Sequence, residues 1–379
     1  MVVARIFKLF LRNPSLRTQD LPDTIPPTPV PSATTVRKVQ AQIVLMFCIL
    51  FLVSLFPLPA LCAPDTHEDA VITERRPFRG FIRRDKAERT AKLAAALAAW
   101  DQAARSLARE PDLQFIDADS NIPLPLDALA RMIFSIRVEA LGVEGFPPHQ
   151  QATVRISLLP PESLRTSLLD ALPRLDLLEL YAQAMARQRG LLERYDHLAA
   201  KLLPLNPSTD GGQEEMHRLQ NIVNELIALD LYLELLPGYN HNWKAPEATK
   251  PQLLRAERLA PNNPLVLLAL AEVFLQMDRP VAALEYVERA LRQTPNFARG
   301  HNVRGAILLR KRLPTLAAES FGRAIALAPR NSVYYMHRGS AYLVLEEESA
   351  MCRDFKSACG LGDCEGLQWA KSVGRCGGE

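Results

Sequence analysis

Most of this sequence lacks an excess of charge of either sign, which removes the usual basis for binding nucleic acid. Its 379 residues hold 45 Lys and Arg against 42 Asp and Glu. Residues 1 to 63 carry six of the basic and two of the acidic residues, which leaves 39 against 40 for the rest. Nucleic-acid affinity rests on clustered neutralisation of phosphates, and so even a balance supplies no such field. Catalytic motifs are missing as well. There is no G-x-S-x-G, no glycine-rich phosphate loop, no H-E-x-x-H and no C-x-x-C, which argues against an acyl-transfer serine, a phosphate cradle, a helical zinc site and a dithiol. The seven histidines, His67, His149, His197, His217, His241, His301 and His337, are scattered without acidic or cysteine companions at ligand spacing. No enzyme activity, cofactor or metal is therefore expected. Between Cys62 and Cys352 there is no cysteine at all. The remaining four, Cys352, Cys359, Cys364 and Cys376, crowd into the last 28 residues. An even set in an exported chain reads as disulfides; a zinc cluster or free cytoplasmic thiols are the alternatives.

What is present, above all, is a repeat. ERLAP, LRQTP, IALAP and CGLGD close successive units at an interval of 34 residues, setting Pro261, Pro295, Pro329 and Asp363 in one column. Ala271, Gly305 and Gly339 form a second column, of small residues, while Phe274, Phe321 and Phe355 supply bulk. Small residues let paired helices approach, and the rings are expected to fill the space between neighbouring hairpins. The stretch resembles the tetratricopeptide repeat (TPR) family over about residues 248–363, with Leu253, Ala256 and Leu259 matching only the second half of a unit. The resemblance implies an α-solenoid with a concave groove that takes a protein or peptide. It also implies which side chains line the groove: Leu265, Leu268, Glu272, Leu275 and Gln276 in the first full unit, Arg299, Asn302, Ala306, Leu309 and Arg310 in the second, and Val333, Met336, Ser340, Leu343 and Val344 in the third. Such a groove is apolar with two arginines at its middle, and suits an amphipathic helix or extended apolar segment carrying an acidic residue. The carboxylate clamp of chaperone-binding members is matched only at Asn302. The competing expectation is that residues 213–236 or the protein's own tail fill the groove.

Upstream, residues 43–56 are apolar and uncharged, preceded by Arg37 and Lys38 and followed by PLPALCA. That is the outline of a secretory signal cut near Cys62 or Ala63. Fourteen residues are short for a bilayer span, and Pro57 and Pro59 interrupt any extension. An exported, periplasmic protein of a bacterial cell envelope is expected; the alternative is an inner-membrane anchor through residues 43–63, with the repeats outside the cytoplasm. Residues 1–35 read as a disordered proline-rich leader or a mis-assigned start, and 36–63 as the signal or anchor. Residues 64–84, with Arg75, Arg76, Arg79, Arg83 and Arg84 around Phe78 and Phe81, read as a solvated basic linker, because Pro77 and Gly80 break any period.

Residues 85–161 suggest a small α+β module. An alanine-rich helix with Leu93, Leu97 and Trp100 precedes two alternating runs, Ile136/Val138/Ala140 and Ala152/Val154/Ile156/Leu158, which read as a hairpin packed on the helix. Residues 162–247 return to helical spacing near 163–173, 175–203 and 213–236, and PGYNHNWKAPEA at 237–248 reads as an internal boundary. The expected fold is mainly α, a C-terminal TPR α-solenoid preceded by a helical segment and the α+β module, with residues 364–379 as a cap. If a helix from about Ser349 to Gly360 is followed by a returning one from Cys364 to Ser372, Cys359 and Cys364 flank the turn and Cys376 comes level with Cys352. Of the three pairings that four cysteines allow, Cys352 with Cys376 and Cys359 with Cys364 is then expected, leaving Leu367 and Trp369 to cover the last unit. Two other functions stay open: an envelope assembly factor whose α+β module contacts the cell wall, and an enzyme with its site in residues 85–236.

Overall fold

A computed structural model describes residues 71–78, 83–109, 113, 125–145, 150–171, 174–202, 210–240 and 242–377. The leader, with its signal or anchor reading, lies outside the described residues.

Alanine sets the first layer. Helix α1 (Arg84–Leu107) buries Ala87, Ala91, Ala95, Ala99 and Ala103 at a spacing of four. A stripe that narrow lets a helix lie close upon its neighbours, and α1 packs on a three-stranded antiparallel sheet and on α2 (Leu126–Ile133). The sheet has the order β1 (Val71–Phe78), β3 (Gln150–Leu159), β2 (Ser135–Glu144). On β3 the run Ala152, Val154 and Ile156 is fully buried.

Two expectations about this module are corrected. Residues 71–78 are not linker but the outer strand, in register from Val71 opposite Ser157 to Phe78 opposite Gln150. Its charges hid it. Of the positions facing the covered side of the sheet, Ile72, opposite Ile156, is apolar, whereas Glu74 and Arg76 are not, and Arg76 reaches Asp196 as an ion pair. Pro77 is tolerated because an outer strand has one unpaired side. The alternation Ile136/Val138/Ala140 also fails beyond Val138, where the register shifts so that Ala140 opposes Arg155 and Leu141 opposes Val154. A β-bulge adds one residue and moves every later side chain to the other face.

Helices α3 (Leu164–Ala171), α4 (Leu175–Leu202) and α5 (Asp210–Leu235) follow, close to the expected spans. After them comes a stretch that is not a boundary. A 3-10 turn (Leu236–Gly238) leads into a two-residue ribbon, β4 (Tyr239–Asn240) against β5 (Asn242–Trp243), and both Tyr239 and Trp243 are buried. One hydrophobic core therefore runs from Ala87 through this turn to Ile307, and the chain after Glu68 is one compact unit.

The repeats are paired helices: α6 (Pro246–Leu259), α7 (Pro264–Gln276) with α8 (Pro280–Gln293), α9 (Ala298–Arg310) with α10 (Pro314–Leu327), and α11 (Ser332–Val344) with α12 (Glu348–Gly360). The unit that looked half-formed is completed by α5, which packs on α6. Proline opens α6, α8 and α10, where a missing N–H costs nothing. The turn inside each hairpin places one residue in the left-handed region, Asp278, Arg312 and Glu346 at φ 54, 59 and 61°. A Cβ on Gly305 would lie 2.5 Å from the Phe321 ring, and one on Gly339 2.5 Å from that of Phe355. Phe321 and Phe355 thus pack inside their own hairpins, and Phe321 also reaches the next one, clustering with Ala341 of α11. Phe274 instead stacks on Tyr286 at 5.3 Å.

Helix α13 (Glu365–Ser372) closes the array. Cys352 is joined to Cys376 and Cys359 to Cys364. Leu367 packs at the end of the core, but Trp369 does not join it and is 43% exposed; Ala370 and Gly366 face inward instead.

Candidate functional site

The first helices of the three units present their side chains to one concave face, and the structure divides that face into a sealed part and an open part. Leu265 and Leu268 are buried in the continuous core. Beside them Glu272 is surrounded by donors: its Oε1 accepts from Arg299 Nε at 2.9 Å and Nη2 at 2.8 Å, and its Oε2 accepts from the Trp243 indole N–H at 3.2 Å. Gln276 holds the backbone of the same residue, accepting from Trp243 N–H at 3.1 Å and donating to Trp243 O at 3.3 Å. Arg299 also donates to the Tyr239 hydroxyl, and its guanidinium lies 5.1 Å from the centre of that ring. Arg174, at the start of α4, donates to Tyr239 O at 2.9 Å. Tyr239 and Trp243 meet edge to face at 5.2 Å.

The 239–243 ribbon thus lies in the groove as a permanent occupant. The sequence led to a foreign segment as the expected occupant, with residues 213–236 or the tail as the alternative; over the first unit the one found is the turn that follows that helix. Leu265, Leu268, Glu272 and Arg299 are consequently not ligand contacts but parts of an internal polar and aromatic joint. Electrostatics match the burial. Burial pulls the Arg299 guanidinium down, but Glu272, Tyr239 and Tyr232 together hold it above its ordinary value. Burial pushes the Tyr239 hydroxyl well up, and Glu272 pushes the same way.

Beyond Arg299 the face opens. Asn302 accepts from His337 Nδ1 at 2.8 Å. The His337 ring lies 5.5 Å from that of Phe321, and burial lowers its pKa, against the pull of Asp363. Met336 is covered by α13, where a Cβ on Gly366 would stand 2.7 Å from its sulfur. Leu275, Leu309, Leu343, Ala306 and Ser340 are half-buried, Val333 and Val344 are exposed, and among the described residues Arg310 reaches only Asp278, at 3.3 Å, both side chains largely in water. A pair so exposed contributes little, which leaves Arg310 available to a ligand.

His337 gives a pH prediction. Its pKa in the folded chain lies below the 6.5 of an ordinary histidine, so the unfolded chain takes the proton first. The contribution is complete above pH 6.5 and is lost as pH falls through that value toward the lower folded one. The melting temperature of the wild type should therefore drop more than that of His337→Gln between neutral and mildly acidic pH. Parallel curves would mean that the imidazole is solvated.

Fold and groove together define the class by architecture alone: an α-solenoid of tetratricopeptide-like helical hairpins whose concave face is closed at its first unit by the chain itself. No family model and no curated relative matches the sequence. Among solved structures the chain is similar to YrrB, described as a TPR protein with an unusual peptide-binding site, at 16% identity over 48% of this chain and 88% of that one, TM-score 0.34. It is similar also to TTC0263, a thermophilic TPR protein of Thermus thermophilus, at 21% identity over 41% and 84% of the two chains, TM-score 0.34. A MamA from Desulfovibrio magneticus RS-1 shows 17% identity over 45% and 94%, TM-score 0.32.

The repeat itself was readable from the sequence, and the segment that lies over its first unit was not. Tyr239, Trp243 and Arg174 were passed over because two aromatics four residues apart in a polar turn carry no helical or strand period. The one available signal was that YNHNW puts two large rings where a solvated turn needs none.

Proposed function

We propose that the protein is an exported envelope scaffold that captures a partner protein through the open part of its groove. The ligand is a short amphipathic helix or extended segment, with apolar side chains against Leu309, Leu343 and Val344 and one acidic side chain on Arg310. The observation that carries this reading is the exposed Val333 and Val344, with the half-buried Leu309 and Leu343, beside an accessible guanidinium, on a face whose first unit is already filled. Apolar contact supplies the affinity, and a charge at the rim sets register and association rate.

The test is capture from intact cells by a photo-crosslinking residue placed at Val344. Arg310→Glu should strongly reduce the crosslinked product while the melting temperature stays close to that of the wild type, because Arg310 is exposed. Undiminished crosslinking would sink the groove reading.

Export is supported by the two disulfides, which persist in an oxidising compartment, and by the apolar run of the leader. The periplasmic protein should start near Ala63 on terminal sequencing and, mapped without reduction, yield the Cys352–Cys376 peptide pair. Removing that link should lower stability by about 3 kcal/mol through release of the unfolded chain. An intact segment 43–63 recovered from membranes establishes the inner-membrane anchor instead, and four free thiols refute export. Among the described residues no helix is long and apolar enough to cross a membrane.

A further inference from the structure

The C-terminal helix lies on groove side chains and is held there by little except a disulfide. We propose that it is a latched lid: reduction of Cys352–Cys376 lets α13 swing off the third unit and lengthens the open groove. Two groove positions lie at the covered end. Met336 is met by Gly366, on which a Cβ would stand 2.7 Å from the sulfur and 2.8 Å from Phe355 Cδ1. Leu343 packs with Met336, Tyr342 and Leu367 around the buried cluster of Met351, Phe355 and Ala370.

The contacts of α13 itself are slight. It has eight residues, fewer than the dozen or so that a helix needs to persist alone in water. Only Gly366 and Ala370, its two smallest side chains, are buried; Leu367 is half-buried, and Trp369 and the following Val373 are exposed. Among the described residues no ion pair and no hydrogen bond joins α13 to the helices beneath it. Its polar groups bond locally instead: the Glu365 N–H donates to Asp363 in the turn at 3.4 Å, and Ser372 Oγ donates to Trp369 O at 2.7 Å.

The two disulfides are not equivalent. Cys359–Cys364 bridges a separation of five residues across the turn between α12 and α13, and so fixes the hinge. Cys352–Cys376 bridges 24 and ties the far end of the lid back to α12. With the first link alone the helix can pivot; with both it cannot leave. Neither cysteine of the latch is buried, so a dithiol can reach it. A thiolate of the dithiol attacks one sulfur of Cys352–Cys376 and expels the other, which takes up a proton; the second thiol then displaces the mixed disulfide. Two electrons and two protons pass to the cysteines, and the dithiol leaves as its own disulfide. An oxidising compartment keeps the lid shut until such a donor arrives. That opening serves capture rests on the groove reading above, since Met336 and Leu343 then join Leu309 as apolar contacts beside Arg310.

Hydrogen exchange on the full chain tests the lid. Cys352→Ser with Cys376→Ser, and the wild type treated with dithiothreitol, should exchange residues 365–375 about tenfold faster than the untreated wild type, while α7 to α10 keep their protection. Cys359→Ser with Cys364→Ser should leave that exchange close to the wild-type rate. In dilute hydrogen peroxide Met336 should form its sulfoxide about threefold faster once the latch is open. Unchanged protection of α13 without the latch, or exchange speeded alike across all the repeats, overturns the lid: in the first case the contacts suffice, and in the second the link holds the array rather than the helix. The crosslinked product at Val344 should rise about threefold in Cys352→Ser with Cys376→Ser. An unchanged yield from an opened helix overturns the gating, whereas no product from either chain overturns the groove reading alone.

Discussion

Replacement of Arg299 by alanine should cost about 3 to 5 kcal/mol of stability, because it strands the Glu272 carboxylate in a place closed by Trp243 and Tyr239. The two partners are 17% and 14% exposed, so water cannot take over from the guanidinium. Glu272→Gln in the same background should restore part of the loss, and the double-mutant cycle should show strong coupling between the two sites. The measurement is denaturant unfolding of the four proteins. A loss under about 1 kcal/mol, the range of a surface pair, would mean that the groove is open there after all. On the sequence alone Arg299 reads as a ligand contact whose replacement should leave stability nearly untouched; burial reverses that expectation.

The second large effect lies in the hairpins. Phe321→Ala should cost about 3 to 5 kcal/mol, since the ring is fully buried and its removal opens a cavity. Gly305→Ala shows what the ring is doing. Alanine is the better helix former by about 1 kcal/mol, yet its Cβ would stand 2.5 Å from Phe321 Cε1, so in the wild type the substitution should destabilise. In the Phe321→Ala background the obstruction is gone, and the same Gly305→Ala should stabilise. A Gly305→Ala effect of the same sign and size in both backgrounds would disprove direct packing between the two.

How much of this was legible in the sequence depended on whether the signal was local and periodic. Gly305, Phe321, Gly339 and Phe355 recur at one interval, and the hairpins follow from them; α4 and α5 carry strong 3.6-residue stripes and fell close to where those stripes put them. Strand β1 did not, because Glu74 and Arg76 stand at core-side positions, and Arg76 meets its partner, Asp196, far away in sequence. The bulge after Val138 is one residue long and leaves no compositional mark. The seal over Glu272 joins residues 29 apart through Trp243 and 60 apart through Tyr239 and Arg299. Periodicity speaks of which face a residue occupies, and says nothing of which distant segment comes to lie upon it.

The internal joint at Tyr239 and Trp243 also bears on how a captured partner is held. A repeat array linked to its neighbour by a free hinge presents cargo at any angle. Here the apolar interior passes without a break from the alanine stripe of α1 to Ile307, and the ribbon bolts the end of α5 to both α7 and α9. The first full repeat unit is therefore carried at a fixed distance and orientation from the three-stranded sheet, like a tool clamped in a rigid arm.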